Sequence, residues 1–150
     1  MSRSFQTSCD RDERGQALVE FAMVIGFLVI FIVGILEVSL FLYNYAVLTD
    51  AAKEGVRYAI VHGSSGTNPA GDGGPCGTTT SGGVFAAVQA YAASSIHNLS
   101  NMSVNVCYSD SSNTPGNRVQ VTVSYPYSPL FLTNWATIPI SATSVGRIQF

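Results

Sequence analysis

The run from Phe21 to Leu36 holds no charged side chain, and its apolar character continues past Glu37 through Val38, Leu40, Phe41, Leu42 and Tyr43. About twenty such residues coiled as a helix match the hydrocarbon thickness of a bilayer. A cleaved secretory signal would carry an apolar segment of about 7–15 residues followed by a small-residue cleavage site. This segment is longer, and no Ala-x-Ala pattern follows it. A core helix of a soluble domain would show a polar face, and none appears before Glu37. The run therefore reads as a single membrane span over about residues 18–43, and the rest of the chain must be arranged around it.

With nearly a third of the 150 residues committed to that anchor, a single small exported domain remains. The net charge of −2 says less than its placement. Residues 1–20 hold Arg3, Asp10, Arg11, Asp12, Glu13, Arg14 and Glu20, whereas residues 63–150 hold only Asp72, Asp110, Arg118 and Arg147. A domain so poor in Lys and Arg does not bind nucleic acid, which requires clustered cations against phosphates. Arg3, Arg11 and Arg14 precede the span, while Lys53 and Arg57 follow it at a greater distance. That asymmetry places the N-terminus in the cytoplasm and the C-terminal domain outside it. Cysteine placement points the same way. Cys9 falls in the cytoplasmic tail, where a thiol stays reduced, and Cys76 and Cys107 fall in the exported domain, where two thiols can pair. Such a bridge would tie a glycine-rich loop across a sheet; the alternative is two free thiols.

Residues 1–14 are polar, carry mixed charge and lack periodicity, so they read as a short disordered tail. Gly15 then breaks the chain, and the good helix formers Gln16, Ala17 and Leu18 begin a helix. Taken alone, Glu20 is an early-helix carboxylate facing the positive helix end. The wider pattern is more specific. A Gly, four residues, a Glu and the aromatic Phe21 at the mouth of a membrane helix, behind a charged leader, resemble the processing site of prepilins. The resemblance implies cleavage between Gly15 and Gln16 by a membrane-embedded prepilin peptidase, leaving Glu20 fifth in the mature chain. It also implies that Glu20 meets the N-terminus of a neighbouring subunit during assembly. A buried carboxylate needs such a partner, because it costs roughly 2.5–3.5 kcal/mol at the centre of a membrane helix.

Residues 33–61, VGILEVSLFLYNYAVLTDAAKEGVRYAIV, extend the resemblance. Gly34-Ile35-Leu36-Glu37 together with Ala51-Ala52-Lys53-Glu54-Gly55-Val56-Arg57-Tyr58-Ala59 is similar to TadE-like pseudopilins of the tight-adherence (Tad/Flp) pilus machinery. The match spans about residues 14–62, and it implies as partners the membrane, other pilins and the Tad inner-membrane assembly platform. Read physically, the same segment carries the helix out of the membrane. Leu48, Ala51, Ala52, Gly55, Tyr58 and Ala59 form an apolar stripe, with Asp50, Lys53, Glu54 and Arg57 lying off it. That stripe can cover the chain's own domain or face another subunit. A helix from Gln16 to near His62 would be about 70 Å long. Glu37, about 25 Å along the axis from Glu20, reads either as the outer boundary of the span or as a contact for a basic group on a partner helix.

Residues 63–83 are dense in Gly, Ser, Thr and Pro and read as a loop. They lack the Gly-Lys-Ser/Thr ending of a phosphate-binding loop. Val84, Val88, Tyr91, Ala92, Ile96 and Leu99 recur at helical spacing and predict a second, shorter helix. Three alternating runs follow: Met102 to Tyr108, Val119 to Tyr125, and Ile138 to Ala142, the last extendable through Arg147–Phe150. The expected architecture is thus α+β, with residues 1–15 as leader, 16–62 as the long helix, 63–83 as a loop and 84–150 as a pilin-like head. The head would combine the short helix with a three-stranded antiparallel sheet. No catalytic constellation, cofactor motif, small-molecule substrate site or metal cluster is readable, His62 and His97 falling at expected helix ends. Asn98-Leu99-Ser100 and Asn101-Met102-Ser103 match a glycosylation pattern too common to carry weight. Three function classes follow: a minor pilin of a Tad-type pilus, a signal-anchored surface binding domain indifferent to Gly15 and Glu20, and a membrane-anchored enzyme, which the missing constellation disfavours.

Overall fold

The computed structural model describes residues 6–63, 76–79, 82–96, 98–110, 114–130 and 137–149. Its elements run α1 (Gln6–His62), β1 (Gly77–Thr79), α2 (Gly83–Ala92), β2 (Ser103–Tyr108), β3 (Arg118–Tyr127) and β4 (Ile138–Arg147), with a 3-10 turn at Leu99–Asn101 before β2. This is an α+β layout built on a long apolar N-terminal helix. The chain divides between Ser39 and Leu40 into two compact units, so α1 forms one unit and opens the other.

Helix α1 starts earlier than its sequence suggests. The expected break at Gly15 is absent: the helix begins at Gln6 and passes through Gly15 without interruption. A glycine inside a helix costs only about 1 kcal/mol, and the flanking Glu13, Arg14, Gln16, Ala17 and Leu18 are strong helix formers that outweigh it. Polar side chains along the helix turn inward to its own backbone. Ser39 Oγ donates to the Ile35 carbonyl at 2.8 Å, Asn44 Nδ2 to Leu40 at 2.8 Å and Thr49 Oγ1 to Tyr45 at 2.9 Å. Each thereby satisfies its donor without leaving the helix surface.

The sheet has the simple order β1-β2-β3-β4, antiparallel throughout. The three expected strands are present, and the loop expected over residues 63–83 contains a fourth, β1, whose Gly77–Thr79 pair with Val106 to Val104. Nothing in Gly-Thr-Thr alternates apolar with polar, so β1 gave no signal in the sequence. The second helix is shorter than its spacing predicts: α2 stops at Ala92. Ser94 Oγ donates back to the Tyr91 carbonyl at 2.8 Å, and Asn98 caps the following 3-10 turn by accepting from the Ser100 amide. Such local bonds compete with helix continuation. Ile96 still reaches the core, 4 % exposed, from the turn. His97 lies outside the described residues.

Strict alternation along β2 and β3 places Val104, Val106, Tyr108, Val119, Val121 and Val123 on the buried face. Onto that face pack α2, through Val84, Val88 and Ala92, and α1, through Leu48, Ala51, Ala52, Val56 and Ala59. The outer face carries Asn105, Gln120, Thr122, Ser124, Ser141 and Thr143, with a cross-strand bond of 2.9 Å between the Thr122 and Thr143 hydroxyls. Beyond β4 the chain stays tied down: the Ile148 amide donates to Asn117 O at 2.9 Å, the Gly116 amide to Ile148 O at 2.9 Å, and the Gln149 amide to Ile60 O at 3.2 Å. Gly116 adopts φ of 91° in the β2–β3 connection, a conformation that favours glycine.

Two predictions test this packing. A Cβ built at Gly55 would lie 2.6 Å from Val88 Cγ2 and 3.2 Å from Val121 Cγ1. Gly55→Val should therefore lower unfolding stability by about 1–3 kcal/mol, read as a lowered urea midpoint for the full chain in detergent micelles. At the end of β2, Asp110 accepts from the Arg118 amide at 3.0 Å and sits 3.6 Å from its guanidinium. The Arg118 backbone bond, followed by the guanidinium charge, holds the Asp110 carboxyl below its ordinary value. Its stabilisation is present above the unfolded carboxylate range and fades as pH falls through the lowered folded value. Asp110→Asn should flatten the acid limb of the stability–pH curve below the ordinary carboxylate range and leave its neutral-to-alkaline shape unchanged.

Candidate functional site

Every residue of α1 from Gly15 to Ile32 is exposed. Leu18 is 70 % exposed, Phe21 65 % and Phe27 76 %, and Val24, Leu28 and Phe31 are similar. Full burial of one such side chain is worth about 1.5–3 kcal/mol, so a helix apolar all round needs lipid or other helices about it. Among the described residues, α1 is the one helix long and apolar enough to cross a membrane, and its length and composition suit a single-pass anchor near the N-terminus.

The sequence-picked residues all lie on this helix or in the head. Gly15, Gln16, Glu20 and Phe21 are exposed, and Glu20 is the single acidic or basic side chain from Gly15 to Leu36. Glu37 is half-buried. The helix does not bring Glu20 and Glu37 together: seventeen residues separate them, roughly 25 Å along the axis and about 100° around it.

Glycines fall into two groups. A Cβ at Gly15, Gly26 or Gly34 would meet nothing within 4 Å, so packing inside the chain gives no reason for glycine there. At Gly55, Gly83 and Gly146 the opposite holds. A Cβ at Gly83 would strike the Tyr58 ring, and one at Gly146 would lie 2.5 Å from both Val56 and Ile60. Gly55, Val56, Tyr58 and Ala59 therefore form a fitted face between α1 and its own head, which answers what the small-residue stripe covers. Tyr58 also stacks on His62, with ring centroids 3.9 Å apart and planes 8° off parallel, while a His62 ring nitrogen lies 3.0 Å from the Tyr58 carbonyl. The charged residues of the same motif stay outside. Lys53 pairs with Asp50 at 2.9 Å and Arg57 with Glu54 at 3.7 Å, exposed i,i+3 pairs worth a few tenths of a kcal/mol each. The Asp50 bond raises the Lys53 pKa. Sequence reasoning missed the close contacts at Gly83 and Gly146, whose partners are far away along the chain.

Cys76 and Cys107 are brought together as a disulfide. The register explains the meeting: Gly77 faces Val106, so the next pair outward sets Cys76 against Cys107 across adjacent antiparallel strands. Among the described residues, no three His, Cys, Asp or Glu side chains gather as a metal would require. Burial pushes the Tyr108 phenol above its ordinary value, and its ring belongs to the apolar core.

A family model described as TadE-like protein matches residues 15–57. Over that stretch, under a third of its length, the chain is similar to TadE-like proteins. The matched segment begins at Gly15, includes Glu20 and Glu37, and ends within the fitted face of α1. No curated protein and no solved structure matched the chain.

The pairing of Cys76 with Cys107 makes a quantitative expectation. Denatured protein taken from an oxidising compartment should gain two reactive thiols on reduction. Removing the bridge by Cys107→Ser should cost about 3–4 kcal/mol, the chain-entropy value for a loop of this length, measured as a shift in the denaturation midpoint.

Proposed function

We propose that the chain is a minor pilin, or pseudopilin, that takes part in assembling a Tad/Flp-type pilus. A prepilin peptidase cuts after Gly15, the charged leader stays in the cytoplasm, and the mature chain begins at Gln16 with its head outside the inner membrane. The TadE-like match over residues 15–57 carries this reading. The glycine at 15 supports it: a helix bears the cost of a residue that its own packing does not require, which suits a position read by a peptidase cleft.

After cleavage, Glu20 lies fifth in a helix otherwise without charge as far as Leu36. The new α-amino group at Gln16 of an adjoining subunit offers it a cationic partner, since that amine has an unperturbed pKa of about 7.7–8.0 and is largely protonated at neutral pH. Phe21 packs beside it in the helix bundle, and Glu37 contributes a second polar contact further along. Other pilins and the inner-membrane assembly platform are the partners. A head of this size suits a minor subunit that starts or caps a fibre rather than one repeated as its bulk.

The mass of the membrane-extracted protein tests the cut. A chain starting at Gln16 is expected, and an intact leader would favour a surface binding domain held by an uncleaved anchor. For docking, Glu20→Ala should be cleaved normally yet recovered in sheared pili at least tenfold less than the native chain. Equal incorporation would remove the assembly role of Glu20.

A further inference from the structure

Two strands of the sheet have a single neighbour each, β1 and β4, and the chain treats them differently. β1 is three residues long, Gly77–Thr79, and so short an edge offers little to pair with. β4 runs for ten residues in unbroken register with β3, and from Ile138 to Gly146 it holds no Asp, Glu, Lys or Arg. A charge, a bulge or a proline is the usual protection of a long edge. From Ser141 to Val145 this edge has none of them, and Ser141, Thr143 and Val145 are exposed.

Antiparallel pairs alternate between residues that exchange main-chain bonds and residues that do not. The alternation is fixed one step beyond the Arg118–Arg147 pair, where the Ile148 amide donates to Asn117 O at 2.9 Å. Counting back, Gly146, Ser144, Ala142 and Ile140 bond to β3, while Arg147, Val145, Thr143, Ser141 and Pro139 turn their main-chain groups away from it. Two contacts agree. The Thr122 and Thr143 hydroxyls meet at 2.9 Å, as the closer side chains of a pair without main-chain bonds allow, and Pro126 faces Pro139, neither of which has an N–H. The outward row is stopped at both ends. Pro139 has no amide to give, and beyond Arg147 the Gln149 amide donates to Ile60 O at 3.2 Å while its side-chain amide reaches Arg147 O at 3.4 Å. Between these stops the amides of Ser141, Thr143, Val145 and Arg147 and the carbonyls of Pro139, Ser141, Thr143 and Val145 face outward along about 26 Å of strand.

We propose that this edge is closed by β4 of a second copy of the chain, the two strands running parallel and one residue out of step. Groups alternating donor and acceptor at two-residue steps fit an extended backbone, and a second copy presents the same row with the same stops. In this register the amides of Ser141, Thr143, Val145 and Arg147 donate to the carbonyls of the partner's Pro139, the partner's Ser141, the partner's Thr143 and the partner's Val145. The three partner amides between the stops donate back to Ser141, Thr143 and Val145. Pro139 is asked only for its carbonyl and Arg147 only for its amide, which are the groups each has free. Parallel strands keep both Leu40 entry points at one end of the joined sheet, as two chains anchored in one membrane require. The second sheet is turned over about the strand direction, so the two Arg147 side chains leave from opposite faces and like charges are not set side by side. The pairing rests on the membrane anchor and not on the pilus role, so the two readings can fail separately.

Spin labels on the full chain test it. In a Cys9→Ser background, Ile138→Cys gives one reactive thiol at an exposed position, because Cys76 and Cys107 are paired. The labelled protein is reconstituted in phosphatidylcholine vesicles at a few copies per vesicle. Parallel pairing sets the two Ile138 backbones about 6 Å apart, giving strong dipolar broadening, whereas antiparallel pairing about Thr143 would set them about 33 Å apart. Thr143→Pro removes one outward amide and should lower the coupled fraction at least fivefold, while Thr143→Val, which loses the hydroxyl but keeps the amide, should leave it unchanged. Near-ultraviolet dichroism like that of the background chain is required of each variant, and Ser141→Pro replaces Thr143→Pro if the latter does not fold. Absence of coupling in the background chain would overturn the proposal, as would coupling that both proline variants retain, which would mean that another surface joins the copies. A separation near 33 Å would overturn the parallel arrangement.

Discussion

The structure depends on the close approach of α1 to the sheet and to α2. Small residues make it possible: Ala51, Ala52 and Ala59 are fully buried, and Gly55 lets Val84, Val88 and Val121 reach the helix backbone. The approach is reciprocal, since Gly146 on β4 and Gly83 at the start of α2 clear space for Val56, Ile60 and Tyr58. A side chain at any of the three would push the helix off its bed. Among the described residues, the ion pairs are exposed and contribute little, and the outer face of the four-stranded sheet is merely polar. A small domain of this kind gains most of its stability from one well-filled contact and from a bridge such as Cys76–Cys107.

One helix therefore answers to two solvents, and the change shows residue by residue. From Phe21 to Leu36 its side chains are apolar on every side, as lipid or a helix bundle demands. From Val47 onward the apolar residues retreat to one stripe, and the opposite side fills with Asp50, Lys53, Glu54 and Arg57. The glycines follow the same division. Those in the first part are unconstrained by the chain's own packing, whereas those in the second are dictated by it. Sequence similarity across residues 15–57 thus records two kinds of requirement in one continuous segment: surroundings supplied by other molecules, and a fitted bed supplied by the head.

Much of this was legible in the sequence because periodicity reports which face is buried. The alternation of Val104, Val106 and Tyr108 and of Val119, Val121 and Val123 placed β2 and β3 correctly, and three- and four-residue steps marked the stripe on α1. Local bonding was harder to read. The end of α2 is set by Ser94 and Asn98 reaching their own backbone, while the apolar spacing runs on to Ile96 and Leu99 as if the helix continued. β1 is held by its partner strand and not by its own composition. Gly15 misled because glycine was read as a breaker, although strong helix formers on both sides carry the helix through it. At Gly83 and Gly146 the need for glycine comes from Tyr58, Val56 and Ile60, residues more than twenty positions away, and no local pattern can reveal it.

The course of α1 over the sheet follows from the same constraint. Contacts with Tyr127 and Val121 of β3 and with Gly146 of β4 carry it across both strands, so one end of the sheet stands beside Phe41 and the other beside Ile60. The charged groups of β3 and β4 lie at the second end. The like-charged pair of Arg118 and Arg147, unfavourable as direct cross-strand neighbours, is tolerable there because Asp110 sits against Arg118 and solvent screens the remainder. The fitted face on α1 thus fixes more than the core: it sets which end of the strands lies beside Phe41 and which beside Ile60, where Arg118, Arg147 and Asp110 gather.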